Sequence, residues 1–175
     1  MFASGTKLLA SDECYIPVEK LKIGDCLLSV LSGHAVEITD ILSRSVPLPR
    51  TSASPQPGAN LSSLSPVIVP AGFLDGQRPF EDVVVSPGQV VCTVQNSTGY
   101  NRLVENTAKA SFGQNPELSE GLHSVEYFAL FFEDQYYLSA IGLVVRGYDS
   151  RVLTETGDWL RGPEETEPTS VSGFS

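Results

Sequence analysis

Apolar residues in the first part of the chain come in short clusters broken by turn formers, without the three-to-four spacing of a long amphipathic helix. After Ser4-Gly5, the segment Thr6 to Ala10 reads as extended, and Ser11-Asp12-Glu13 reads as a turn. Tyr15 to Val18 resumes an extended path, and Val18 to Leu21 predicts a single helical turn. Ile23-Gly24-Asp25 predicts a turn that feeds the apolar run Cys26 to Val30. From Ala35 to Leu42 polarity alternates among β-branched residues, the pattern of a half-buried strand.

The pattern then lapses. Residues 44–65 are rich in Pro and Ser and offer too little apolar surface to offset the entropy of ordering them. They read as a surface loop or insertion; the sharper alternative is a polyproline recognition peptide. Order resumes at Pro66 to Pro70, a short strand bracketed by prolines, and Asp75-Gly76 predicts a turn. Val83-Val84-Val85 and Val90 to Val94 are two strong β runs separated by Ser86-Pro87-Gly88, and Asn96 to Gly99 predicts another turn. Leu103 to Phe112 predicts a short helix. Val125 to Phe132, Glu133-Asp134-Gln135 and Tyr136-Tyr137-Leu138 together read as an aromatic hairpin, followed by a last core strand at Ile141 to Val145. Many short strands with closely spaced turns define an all-β class, with one β domain over residues 1–150 and an acidic tail over 151–175 expected to be disordered.

Composition narrows the chemistry. The 175 residues suit one domain large enough to bury a core without staples. A net charge of −10 repels phosphate, so nucleic acid and anionic membranes are poor partners, while a protein partner stays open. The charge itself reads first as solubility, and second as an acidic face for a partner. No apolar run reaches the length of a membrane span, and the start lacks the long apolar stretch of a signal peptide, which leaves location unassigned. Cys14, Cys26 and Cys92 are odd in number and widely spaced. They form neither a disulfide framework nor a zinc motif and are expected to be buried thiols. His34 and His123 have no metal-spaced partners and read as surface or strand-edge histidines. No cofactor is implied. Asp12, Glu13, Asp25, Glu133 and Asp134 read as turn and edge charges.

One stretch is far more specific. The opening MFASGTKLLASDECYIPVEKLKIGDCLLSV resembles the start of bacterial Hint domains, the hedgehog/intein type. There a catalytic Cys precedes Phe, a small residue, Gly-Thr, a strand and a Pro-Val-Glu…Gly-Asp segment. The matching residues are Phe2, Gly5, Thr6, Pro17, Val18, Glu19, Leu21, Gly24, Asp25 and Leu28. Pro66 to Gly72 with Asp82 to Pro87 resembles the family's middle block, and Val125 to Ala140 with Gly142 its late block; the resemblance spans residues 1–148.

The resemblance implies a twisted fold of many short, mainly antiparallel strands that brings the start and end of the domain together. It also implies a self-cleaving reaction. In active members the first Cys attacks the preceding carbonyl to form a thioester, a middle-block histidine assists, and late-block polar residues help release. Here the nucleophile position holds Met1, whose thioether has no proton to lose and cannot give a stable thioester. Gln89 stands at the histidine position, three residues after Ser86, and does not titrate near neutral pH. The late-block histidine positions fall near Ala129 and Gln135, and neither shuttles a proton. Two accounts of Met1 stay open: a cloning start that replaced Cys, or the native beginning. A replaced start does not account for Gln89 and Ala129. The expectation is therefore a catalytically degenerate Hint-like domain serving as a structural or interaction module. The rival is an autoproteolytic domain altered at its nucleophile.

Limited proteolysis is expected to cut first within residues 44–65, ahead of the flanking strands. First cleavage elsewhere, with this segment resistant, would show that it packs against the domain.

Overall fold

A computed structural model of the protein describes residues 1–48, 65–97, 100–113 and 124–152. In chain order the strands are β1 (Phe2–Ala3), β2 (Lys7–Leu9), β3 (Tyr15–Pro17), β4 (Cys26–Leu28), β5 (Ala35–Glu37), β6 (Asp40–Pro47), β7 (Val67–Val69) and β8 (Val83–Val85). β9 (Val90–Ser97) and β10 (Tyr100–Thr107) precede the short helix α1 (Ala108–Phe112). β11 (Ser124–Phe132), β12 (Tyr137–Ala140), β13 (Leu143–Arg146) and β14 (Tyr148–Asp149) complete the order. A single 3₁₀ turn at Val18–Lys20 matches the helical turn expected there.

Among the described residues the strands form two six-stranded sheets and one two-stranded ribbon. The first sheet runs β14-β11-β1-β8-β7, with β6 also paired to β11; the second runs β10-β9-β13-β12-β2-β3; β4 and β5 form the ribbon. This is the all-β architecture that the strand patterning predicts, with the mainly antiparallel pairing that the family resemblance implies.

Consecutive strands repeatedly change sheet. The chain leaves the first sheet for the second between β1 and β2, between β8 and β9, and between β11 and β12, and returns between β13 and β14. The first crossing turns on Gly5, at φ 86°, a left-handed conformation that suits glycine. Alternation along the first sheet sorts its side chains onto two faces. Phe2, Val85, Phe128, Leu130 and Phe132 join the main core with Leu8, Leu138 and Val145 from the second sheet. Met1, Ala3, Tyr127, Ala129 and Phe131 pack on the other face with Val46. Phe2 is fully buried, as the opening block requires.

Several local expectations are corrected. The aromatic segment is not a hairpin: β11 lies in the first sheet and β12 in the second. β11 already pairs with β6 along one side and with β1 and β14 along the other, so its ladder positions are taken and β12 pairs elsewhere. The expected strand at Ala35 to Leu42 splits, because β5 pairs with β4 while β6 pairs with β11. The Pro/Ser-rich segment begins later than composition suggests, since Arg44 to Pro47 are ladder residues of β6 opposite Ser124 to Tyr127. The rest of that segment from residue 49 to 64, most of the 151–175 tail and His123 lie outside the described residues. The helix expected at Leu103 to Phe112 is helical only from Ala108; up to Thr107 the chain pairs with β9, and tertiary pairing overrides weak local preference. Cys92 is buried as expected, but Cys14 is exposed and Cys26 only half-buried, because they sit at the ends of short outer strands.

Truncating Phe2 to Ala is expected to cost about 3–5 kcal/mol in denaturant unfolding, the range for removing a buried aromatic ring. Lys7→Ala, which breaks only the exposed Lys7–Glu81 pair, is expected to change stability by no more than about 1 kcal/mol. Near-equal effects of the two substitutions would contradict the assignment of Phe2 to the core.

Candidate functional site

Two sheet crossings and the chain start meet at one point. The β8–β9 crossing supplies Ser86 and Gln89, the β13–β14 crossing supplies Tyr148, and β1 carries Met1. The α-nitrogen of Met1 lies 2.9 Å from Ser86 Oγ, 2.6 Å from Gln89 Oε1 and 2.8 Å from the Tyr148 hydroxyl. Met1, Ser86 and Gln89 are all buried. The backbone fixes the arrangement from both sides, since Ser86 N donates to Met1 O at 2.9 Å and Gln89 N donates to Ser86 O at 3.0 Å.

Gln89 is oriented by its other half. Its Nε2 donates to Arg146 O at 2.8 Å and to Val90 O at 3.1 Å. The β9–β13 ladder pairs Val91 with Val145, so these carbonyls belong to the next position, where the chain departs from the ladder. A buried carbonyl without a partner is costly, and the carboxamide satisfies two of them at once. With both N–H groups committed, Gln89 presents only its oxygen to Met1.

The start of α1 braces the crossing: Ala108 N donates to Gln89 O at 2.8 Å and Lys109 N to Pro87 O at 3.1 Å. These N–H groups have no partner within the helix and are met by the turn. The helix is itself capped by Thr107, whose Oγ1 accepts from Ala110 N. On the other side, Gly147 lets the backbone pass close to Phe132; an added Cβ would come within 2.7 Å of that ring. This close passage sets Tyr148 against Phe131, with ring centroids 5.5 Å apart.

The site is buried and holds no carboxylate among the described residues. Burial pulls the Met1 α-amine down from its ordinary 8.0 to about 4. Burial pushes the Tyr148 hydroxyl well above its usual range, and does the same for Tyr127 beside the Met1 side chain.

The expected site residues fall as follows. Met1, Gln89 and Ser86 are brought together, and Ala129 packs in the same apolar cluster as the Met1 side chain. Gln135 is exposed in the turn after β11 and takes no part. His34 is exposed next to β5. Cys92 lies elsewhere in the core, where burial, helped by Glu105, pushes its thiol up to about 11. No group of three metal-binding side chains occurs among the described residues. Sequence reading missed Tyr148. Its only sequence signal is its place at the end of the family resemblance.

The family model described as a Hint domain matches residues 1–148. No curated protein matches the chain. No described helix is long and apolar enough to cross a membrane.

Truncations here are expected to rank by the number of buried groups they strand. Tyr148→Phe removes one hydroxyl and should cost about 1 kcal/mol. Gln89→Ala strands two carbonyls and one amine contact, at about 1–3 kcal/mol for each unsatisfied group, and should cost clearly more. Denaturant unfolding of both variants checks the order, and equal costs would mean that Gln89 does not hold the crossing.

Proposed function

The chain belongs to the Hint domain family, and from that premise we propose that it is a catalytically degenerate member, serving as a structural or interaction module. The orientation of Gln89 carries this reading. The α-nitrogen of residue 1 is the atom that must take up a proton when the bond preceding it breaks. Gln89 offers that nitrogen an acceptor oxygen, with both its N–H groups engaged elsewhere. A carboxamide so placed can hold a strand but cannot act as a general acid.

The other two positions support the same reading. The Met1 thioether is packed among Ala3, Tyr127, Ala129 and Phe131, and sulfur bonded to two carbons has no proton to lose. Ala129 is fully buried and carries no polar group. The Tyr148 hydroxyl is held neutral by burial and does not supply a base.

A module needs a surface. Phe73 and Phe80 are 56% and 59% exposed on the β7–β8 connection. That connection is held by Gly72 N to Pro79 O, Leu74 N to Arg78 O, and Asp75 contacts to Gln77 N and Arg78 N. Exposed aromatic rings on a well-bonded loop suit protein contact.

The test places a short reporter before residue 1 and follows thiol-induced cleavage over time. Met1→Cys alone is expected to cleave little, since a missing acid or base lowers rates by ~10²–10⁴-fold. Adding Gln89→His should raise the rate. Rapid cleavage by Met1→Cys alone would refute the degenerate reading and favour an autoproteolytic domain altered only at its nucleophile.

A further inference from the structure

One edge of the first sheet is a long strand. β6 pairs with β11 along one side, and among the described residues no strand pairs with its other side. The phase of the ladders fixes which residues face that open side. Ser4 N donates to Glu126 O, and Thr39 N donates to Phe131 O. Backbone direction alternates along a strand, so Glu126 and Phe128 turn their polar groups toward β1, and Val125, Tyr127, Ala129 and Phe131 turn theirs toward β6. The residues opposite these on β6, namely Val46, Arg44, Leu42 and Asp40, commit their N–H and C=O groups to β11. Ile41, Ser43 and Ser45 present theirs outward.

Side chains alternate with the same period. Asp40, Leu42 and Arg44 stand on the face shared with Tyr127 and Ala129. Asp40 and Arg44 are both half-buried and four places apart. That is roughly 13 Å along the strand, too far for them to pair with each other. Among the described residues no cation pairs with Asp40. Its Oδ1 accepts from Ile41 N at 2.7 Å, which meets one outward donor of the edge.

An edge of this length is a template for another strand. We propose that it pairs with itself: two copies of the chain join β6 to β6, antiparallel about a twofold axis, with Asp40 of each copy opposite Arg44 of the other. The inference does not rest on the degenerate reading of the Met1–Gln89 site.

The register follows from the strand itself. A twofold axis normal to the sheet keeps every side chain on its own face, so the axis must pass through a residue. Centred on Leu42, it pairs Ile41 with Ser43 in both directions, and each of these outward-facing pairs exchanges both hydrogen bonds. Leu42 then meets Leu42, and Asp40 meets Arg44 at both ends. These are non-hydrogen-bonded positions, where opposing side chains lie closest. The Ile41 N–H passes to Ser43 of the second copy, which frees the Asp40 carboxylate for Arg44. Centred on Ser43, the axis would set Arg44 against Leu42 and Asp40 against Val46. Centred on Arg44, it would set two guanidinium groups together. Of the three, the Leu42 register alone matches charge with charge and apolar with apolar. The net charge of −10 on each copy opposes association, so the dimer is a weak one that dissociates on dilution.

Sedimentation velocity of the full chain over a concentration series tests this, with circular dichroism as the check on folding. The wild type should show a monomer–dimer equilibrium. Ser43→Pro removes an outward N–H and leaves the β6–β11 ladder whole, so it should give a folded monomer. Asp40→Lys and Arg44→Glu each set like charges face to face at both ends. Each should raise the dissociation constant by about tenfold or more, and the two combined should bring it back toward the wild-type value. A wild type that stays monomeric at every concentration would overturn the proposal and leave the edge to a strand of another protein. A folded Ser43→Pro chain that still dimerises would place the interface elsewhere, and if that variant does not fold, the charge exchange decides. Single reversals without effect, or a double variant as weak as the singles, would refute the pairing of Asp40 with Arg44.

Discussion

The carboxamide of Gln89 ties the start of β1 to the end of the β9–β13 ladder, a connection no β ladder makes. Its oxygen accepts from the start of β1, and its nitrogen donates to the carbonyls of Val90 and Arg146, where β9 and β13 leave their shared ladder. A fold whose strands repeatedly change sheet creates such places, because each crossing breaks a ladder and strands backbone groups inside the protein. One side chain with two donors and an acceptor, placed at the crossing, closes the gap. The position of β1, the buried Met1 nitrogen and the packing of Tyr148 all depend on that closure.

Under the proposed reading, the same dependence explains how a site can keep its geometry without the family's chemistry. Holding the crossing requires hydrogen bonds of the right direction, which a carboxamide supplies. Breaking a peptide bond requires a group that changes protonation, which it does not. Met1 likewise fills an apolar space beside Ala129 and Phe131 without offering a nucleophile. Structural and catalytic demands on these positions are separable, and the proposed reading is that these side chains serve the structural ones.

The strand-rich class, most short strands and the importance of the opening block were legible because they rest on local patterns. Val83, Val85 and Val91 are buried as their apolar β runs predict, and Phe2 as the opening block implies. Met1, Gln89 and Ala129 were identified through the family resemblance, since nothing in their spacing marks residues so far apart as neighbours. The hairpin at Phe128 to Tyr137 misled because a turn between two aromatic runs reads the same whether the strands pair together or leave for different sheets. The helix expected from Leu103 gave way to a strand because the partner β9 lies opposite in space.

The sequence by itself determined most of the short strands and which positions lack a titrating side chain, since both depend on residue type and near neighbours. Tertiary structure alone decided that β11 and β12 part company and that Tyr148 reaches the first residue. It also decided that Gln89 turns its oxygen, not its nitrogen, toward that residue. These outcomes depend on which carbonyls are left unpaired at the crossings, and that is fixed only when strands distant in the chain have found their register.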